Sequence, residues 1–233
     1  MAANLFLIPC VIDEAATETI PTYIIDAVKQ CDVIFAENER TTRRFLKSID
    51  KQIVIDNYEW FTIHKAEEEQ INIFKQKIKE DKTIAIISEA GCPGIADPGQ
   101  ILIEVAQRMN VPVKPFVGPS SILLALMASG MNGQQFEFVG YLPIDNAEKI
   151  KAIKELENSS AKNNSTKIFI ETPYRNNQLL DTLIKTCKPN TKICVACEIT
   201  GANEFIKTKT AADWQKQKTD LHKKPVIFLL HSN

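Results

Sequence analysis

From Leu5 to Leu230 the chain alternates apolar runs of strand length with segments of helical period, and this confines it to folds whose strands are joined by crossover helices. In the first half the strand candidates are Leu5–Pro9, Asp32–Ala36, Gln52–Ile55, Thr83–Ile87 and Val111–Phe116. The helix candidates between them are Pro21–Gln30, Arg40–Ile49, Ala66–Glu80 and Pro98–Met109. Such a series predicts a mainly parallel sheet. The second half opens with a helix over Pro119–Ser129, with Pro in its first turn and Gly130 just past its end. Strands follow at Gln135–Val139, Lys167–Ile170, Thr191–Ala196, Glu204–Thr208 and Val226–Leu230, with helices at Ala147–Asn158, Arg175–Cys187 and Ala211–Lys216. The close spacing of the last strands implies a mixed sheet with antiparallel pairs. The expected architecture is therefore two α/β domains, 1–116 and 117–233, joined near Phe116–Ser120. The polar stretch Asn158–Ser165 reads as a mobile surface loop.

Glycine is scarce. Eight occur in 233 residues, about half the usual share, and none precedes Gly91. A glycine-rich phosphate loop after the first strand is therefore excluded, in both its dinucleotide and its P-loop form. Charge is uneven: residues 1–117 carry 13 Lys and Arg against 18 Asp and Glu, while residues 118–233 carry 15 against 11. A near-neutral chain with an acidic first half is a poor binder of free nucleic acid, and an RNA target would have to be a shaped ribonucleoprotein. No apolar stretch is long enough for a membrane span, so a cytoplasmic protein is expected. The cysteines (Cys10, Cys31, Cys92, Cys187, Cys194, Cys197) and the histidines (His64, His222, His231) make no ligand set, and no metal is expected. Cys194 and Cys197, three apart on a strand, face opposite ways.

The scarce glycine is concentrated after the strand Thr83–Ile87, in Ser88–Gly99, which reads SEAGCPGIADPG. In an open α/β sheet ligands bind at the carboxyl ends of strands, so Gly91 to Gly94 read as a binding loop. Asp97 reads as the cap of the next helix, with Pro98 in its first turn and Gln100 completing the pair.

This loop resembles the S-D-A-G-T-P-x-x-S-D-P-G signature found in the ribosomal-RNA branch of the tetrapyrrole (corrin/porphyrin) methylase-like family, the small-subunit ribose 2′-O-methyltransferases. Five further blocks resemble the family in order: AENER at Ala36–Arg40, VGPS at Val117–Ser120, FEFVGYLP at Phe136–Pro143, ETPYR at Glu171–Arg175 and ACEIT at Ala196–Thr200. The resemblance implies a methyltransferase with S-adenosylmethionine held in a cleft between two α/β domains, and a homodimer. It implies a cofactor pocket lined by Pro9, Gly91, Cys92, Ile95, Ser120, Ser121, Thr172, Ala196 and Pro225. Ser120 and Thr172 have a second reading as helix caps. The pattern departs after Pro9, where Cys10-Val11-Ile12-Asp13-Glu14-Ala15 replaces a glycine-bearing loop and brings two acids that would repel RNA phosphate.

The implied partner is ribosomal RNA or the small ribosomal subunit. Arg40, Arg43, Arg44 and Lys47 share one face of a predicted helix, and read either as an RNA-backbone contact or as a solvated face. Methyl transfer to a ribose hydroxyl benefits from a base; Glu37, Glu89, Glu171 and Glu198 all stand at or beyond strand ends, and Glu89 and Glu37 are the favoured pair. A porphyrin or corrin ring is the alternative acceptor. A catalytically degenerate cofactor-binding paralogue is the alternative class.

Overall fold

The computed structural model describes residues 3–63 and 67–232. His64, and Ala66 where the third helix was expected to begin, lie outside the described residues. The chain divides into two compact units, Met1–Ser120 and Ser121–Asn233.

The first unit is a five-stranded sheet of β1 (Asn4–Ile8), β2 (Val33–Ala36), β3 (Glu59–Thr62), β4 (Thr83–Ile87) and β5 (Val113–Pro115), in the order β3-β2-β4-β1-β5. Every pairing is parallel. Helices α1 (Tyr23–Lys29), α2 (Glu39–Ile49), α3 (Ile71–Lys79) and α4 (Gln100–Arg108) connect the strands. The unbroken apolar runs have a simple cause: both faces are covered. Phe6, Ile8, Ile34 and Ile87 pack with residues of α1 and α2, while Leu5, Phe35, Ile84 and Ile86 pack with residues of α3 and α4.

The third strand is not Gln52–Ile55. Asp50 folds that segment into a turn, its carboxylate accepting from the Gln52 N–H and its carbonyl from the Ile53 N–H, and Ile53 is only an anchor in the core. The strand follows at Glu59–Thr62, on the sheet edge, where only Trp60 and Phe61 are half-buried and the apolar signal is weak. Asp97 does not cap α4. That helix begins three residues later with Gly99 (φ 120°) as its cap residue, and its free Ile101 and Leu102 N–H groups are taken by the carboxylate of Glu67, 34 residues upstream of Ile101.

The second unit carries β6 (Phe136–Tyr141), β7 (Thr166–Ile170), β8 (Lys192–Cys197), β9 (Phe205–Thr210) and β10 (Val226–His231), ordered β6-β7-β10-β8-β9. Only β6 and β7 are parallel; the sheet is mixed as expected. β9 and β10 are not neighbours, since both pair with β8. Helix α5 (Ser121–Ser129) opens the unit, and α6 (Asn146–Asn163), α7 (Asn176–Thr186) and α8 (Ala211–Trp214) complete it. Ile153 of α6, Leu179 and Leu183 of α7 and Trp214 of α8 share a core with Phe169, Val195 and Phe228 of the sheet.

The polar tract after Asn158 is helix, not loop. α6 runs on to Asn163 and ends on Asn164 in the left-handed region. Ser160 is buried there; its hydroxyl donates to the Ser165 carbonyl and accepts from the Ser232 N–H, which ties the helix end to the chain terminus.

Candidate active site

In the first unit β1 and β4 lie side by side at the centre of the sheet, so the loops that leave their carboxyl ends meet. Cys10 and Gly91 form an antiparallel bridge, with N–H to O distances of 2.8 and 3.2 Å. Gly91 has φ 70°, a conformation that favours glycine. The loop after β5 closes on the same place. A Cβ on Gly118 would stand 2.2 Å from Cβ of Pro9, and the Cys92 thiol lies 3.5 Å from the Pro119 carbonyl. Pro9, Gly91, Cys92, Gly118 and Pro119 are therefore brought together, with Ser120 next in the chain and Ile95 55% exposed farther along the glycine loop.

The acids converge at the same sheet end. β2 and β4 are parallel neighbours, which sets Glu37 and Glu89 beside each other just beyond their ends. Glu37 is buried, and one of its carboxylate oxygens accepts the Glu89 N–H at 2.8 Å. Glu89 itself reaches solvent and accepts from the Thr41 hydroxyl at 3.1 Å. Asn38 caps α2 through the Thr41 N–H.

Asp97, read from the sequence as a cap, is instead a third member of this acidic group. Burial, and then the charges of Glu37 and Glu89, push its carboxyl up from the ordinary 3.8 to about 7. The parallel pairing of the strands that carry Glu37 and Glu89 was a signal available in the sequence; the folding back of Asp97 toward them was not.

Between pH 4 and 7 the native Asp97 holds a proton that the unfolded chain has released, so its contribution to stability declines as pH rises through that window. Asp97→Asn removes the penalty. Urea unfolding is expected to show the variant about 1–3 kcal/mol more stable than wild type at pH 8, with the difference vanishing near pH 4. Equal stability at pH 8 would contradict the acidic coupling.

Helix α2 presents Arg40, Arg43, Arg44 and Lys47 outward while Thr42, Phe45 and Leu46 are buried. The acids of the first loop do not stand free. Glu14 forms an ion pair with Arg44 at 3.0 Å, and Asp13 accepts the Ala15 N–H. Arg43 pairs with Glu39 and lies 5.0 Å over the Trp60 ring, Lys47 donates to the Lys51 carbonyl, and Arg40 is exposed without an ion pair among the described residues.

In the second unit Thr172, Ala196 and Pro225 lie at one end of the sheet. The Glu198 N–H donates to the Pro225 carbonyl and the Lys223 N–H to that of Pro173. Thr172 is not the α7 cap: its carbonyl accepts the Arg175 N–H in a turn, and the helix starts at Asn176. Ala196 is fully buried between Ile206 and Ile227 in the sheet. Ser121 is the first residue of α5, and Ser120 is the last of the first unit. Glu171 and Glu198, both acid candidates, are committed elsewhere: Glu171 to Lys149 and Arg175, Glu198 to Lys224.

The model of the family described as Tetrapyrrole (Corrin/Porphyrin) Methylases matches residues 16–215. The chain belongs to that family. It is a methyltransferase whose methyl donor is S-adenosylmethionine. Among its relatives, "Ribosomal RNA small subunit methyltransferase I" of Halalkalibacterium halodurans is 30% identical over 87% of this chain and 68% of its own. The protein of the same name from Hydrogenobaculum sp. is 29% identical over 99% of this chain and 96% of its own. Two solved structures share the fold: the methyltransferase CobJ (TM-score 0.65, 14% identity, 99% of this chain and 93% of that one) and uroporphyrin-III-C-methyltransferase from Thermus thermophilus (TM-score 0.59, 13% identity, 99% and 93%). No helix among the described residues is long and apolar enough to cross a membrane.

The residues present fit this donor. A sulfonium would offset the acidic setting in which burial, and then the charges of Glu37 and Glu89, raise Asp97; in the first unit the matched glycine loop holds the buried Ser88 Oγ, and in the second the matched ACEIT segment holds the buried Thr200 Oγ1, each without a partner among the described residues. Ala96, Glu198 and Thr200 adopt positive φ (64°, 51° and 68°) in the same loops, strain of the sort that collects at functional sites.

Proposed function

We propose that this chain methylates ribosomal RNA of the small subunit at a ribose 2′-oxygen, in the cytoplasm and as a homodimer. The observation that carries the reading is the position of Glu89. It borders two cavities, one shared with Arg44 and one with Arg40, so that an acceptor held by the α2 ridge meets a carboxylate at the rim of the glycine loop. The relatives named for small-subunit RNA support the acceptor class. Exposed Leu123 and Met127 on α5 support a second copy as partner.

Bound S-adenosylmethionine supplies a methyl group on a sulfonium, open to direct displacement. The protein's part is alignment and proton removal. Glu89 accepts the hydroxyl proton of the acceptor on a carboxylate oxygen. Glu37 is a positioning residue, holding the Glu89 backbone through its N–H. Asp97, ionised above pH 7, adds the negative charge that favours a cationic donor over its neutral product. Arg40, Arg43 and Arg44 take phosphate oxygens of the RNA backbone. On the cofactor side this reading keeps Pro9, Gly91, Cys92, Ile95 and Ser120 in the first unit, and Ser121, Thr172, Ala196 and Pro225 in the second.

Undermethylated small ribosomal subunits incubated with methyl-labelled donor test it. Label is expected in the small-subunit RNA at an alkali-resistant ribose, and Glu89→Gln is expected to lower kcat by roughly 10²–10⁴-fold with little change in donor affinity. Label on a tetrapyrrole ring but not on subunits would overturn the reading.

A further inference from the structure

Tyr174 is the most exposed aromatic side chain among the described residues, 69% open to solvent, yet it does not ride on a free loop. The turn that carries it is pinned from within: the Thr172 carbonyl accepts the Arg175 N–H at 2.9 Å, and Glu171 holds both the Thr172 N–H and the Arg175 guanidinium. A second segment, 220–225, is stitched to it. The Lys223 N–H donates to the Pro173 carbonyl at 3.0 Å, Asn176 Nδ2 to the Lys224 carbonyl at 2.7 Å and the Leu221 N–H to Asn177 Oδ1 at 2.7 Å. Across this seam the His222 and Tyr174 rings meet edge to face with centroids 5.8 Å apart, and the Lys223 ammonium lies 5.8 Å over the tyrosine ring. Lys223 holds φ 61°, a left-handed conformation that a lysine adopts only at a cost.

We infer that Tyr174, His222 and Lys223 form a stacking platform for an unpaired base of the RNA substrate, on a nucleotide other than the acceptor. The inference rests on the ribosomal-RNA reading and deepens it, giving the second unit a part in holding the substrate.

Three observations select that occupant. An open tyrosine ring on a rigid turn offers stacking with little left to order, and every base has a π-face. A cation beside the ring suits the phosphate next to a stacked base. Lys223 has no ion pair among the described residues, whereas Lys224 is taken by Glu198 and Arg175 by Glu171. The Asp220 carboxylate is engaged by Asn177 Nδ2 and the His222 N–H. A protein hot spot would surround the ring with an apolar pocket, but the side chains against this one are a histidine and a lysine. The third observation is place. Tyr174 follows Thr172 by two residues and Lys223 precedes Pro225 by two, so the platform adjoins second-unit residues proposed to hold the donor. It is not itself the reaction centre, because Glu171 and Glu198 are both committed to cations and neither is left to take a hydroxyl proton.

Anisotropy of fluorescent decauridylate, titrated with protein loaded with S-adenosylhomocysteine, reads the platform. Tyr174→Ala is expected to weaken binding by about tenfold or more, and Tyr174→Trp to keep it. A ribose-phosphate decamer without bases is expected to bind wild type and Tyr174→Ala within about twofold of each other, since it has nothing to stack. Lys223→Gln is expected to reduce the slope of log affinity on log salt by about 0.7, the loss of one single-strand phosphate contact. Melting temperature is the folding control, and Lys223→Gln keeps the test open should Tyr174→Ala fold poorly. In the subunit assay Tyr174→Ala is expected to raise KM by about tenfold with kcat and donor affinity near wild type. Wild-type binding of decauridylate by Tyr174→Ala, or an equal loss on the baseless decamer, overturns the inference. So does a loss on intact subunits with none on decauridylate, which would make a ribosomal protein the occupant. Base-dependent binding through Tyr174 without methylation of subunits leaves the platform standing and removes the ribosomal reading.

Discussion

Replacing Glu171 with alanine is expected to destabilise the second unit by about 3–5 kcal/mol. Glu171 is the centre of a buried ion triad. One of its oxygens stands 3.2 Å from Lys149 Nζ, and the other accepts from Nε and Nη2 of Arg175 at 3.0 and 2.7 Å and from the Thr172 N–H at 2.8 Å. Both the Lys149 and Glu171 side chains are almost wholly excluded from water, 3% and 1% exposed. Burial alone would raise the carboxyl, but the Thr172 N–H, Arg175 and Lys149 together hold it below the ordinary range. Alanine leaves an ammonium buried without its counter-charge and frees the turn that carries Thr172.

Lys149→Met is expected to cost much less, under about 1.5 kcal/mol, because Glu171 keeps Arg175 and the backbone N–H while a methionine fills the same volume. The measurement is urea unfolding followed by the fluorescence of buried Trp214, with Trp60→Phe to silence the other tryptophan. Equal losses in the two variants would show that the triad is not centred on the carboxylate. Because Thr172 belongs to the proposed donor site, Glu171→Ala is also expected to weaken donor binding, and Lys149→Met is not.

The triad also marks where the sequence stops being legible. The parallel sheet of the first unit was readable because strands such as Ile84–Ile87 are buried on both faces and therefore unbrokenly apolar. The edge strand Glu59–Thr62 was not, since only its middle residues Trp60 and Phe61 reach the cores while Glu59 and Thr62 are exposed, and Ile53 nearby imitates a strand. Lys149 has the same letters around it as any solvated helix, and nothing local reveals that Glu171, across 22 residues, draws it inside. Distance in sequence hid Glu67 at the start of α4 and the convergence of Asp97 with Glu37 and Glu89 in the same way. The run NSSAKNNS has a different reason: serine and asparagine favour loops when exposed, but Ser160 is buried and engaged by hydrogen bonds specific to this packing. The glycine loop was legible because its constraint is local. Gly91 and Gly94 have positive φ whatever surrounds them.

Gly118→Ala is expected to lower donor affinity by about 100-fold, although Gly118 has no unusual φ and its constraint is purely steric. The alanine methyl would lie 2.2 Å from Cβ and 2.4 Å from Cγ of Pro9, well inside any tolerated contact. Neither side yields easily: Pro9 is a ring fixed at the end of central strand β1, and Gly118 follows β5, which is paired to β1 residue by residue. The linker must therefore move off Pro9 by more than an ångström, taking with it the Pro119 carbonyl against Cys92 and the start of the segment leading to Ser120 and Ser121. A displacement of that size separates the loops proposed to hold the donor. The double variant Pro9→Gly/Gly118→Ala removes the colliding ring atoms while keeping the backbone at position 9, and is expected to recover tenfold or more of the affinity. Such coupling between two positions is the signature of direct contact. Titration with S-adenosylhomocysteine, with melting temperature as the folding control, decides it. Wild-type affinity in Gly118→Ala, or a double variant no better than the single, would remove the Pro9–Gly118 contact from the donor site.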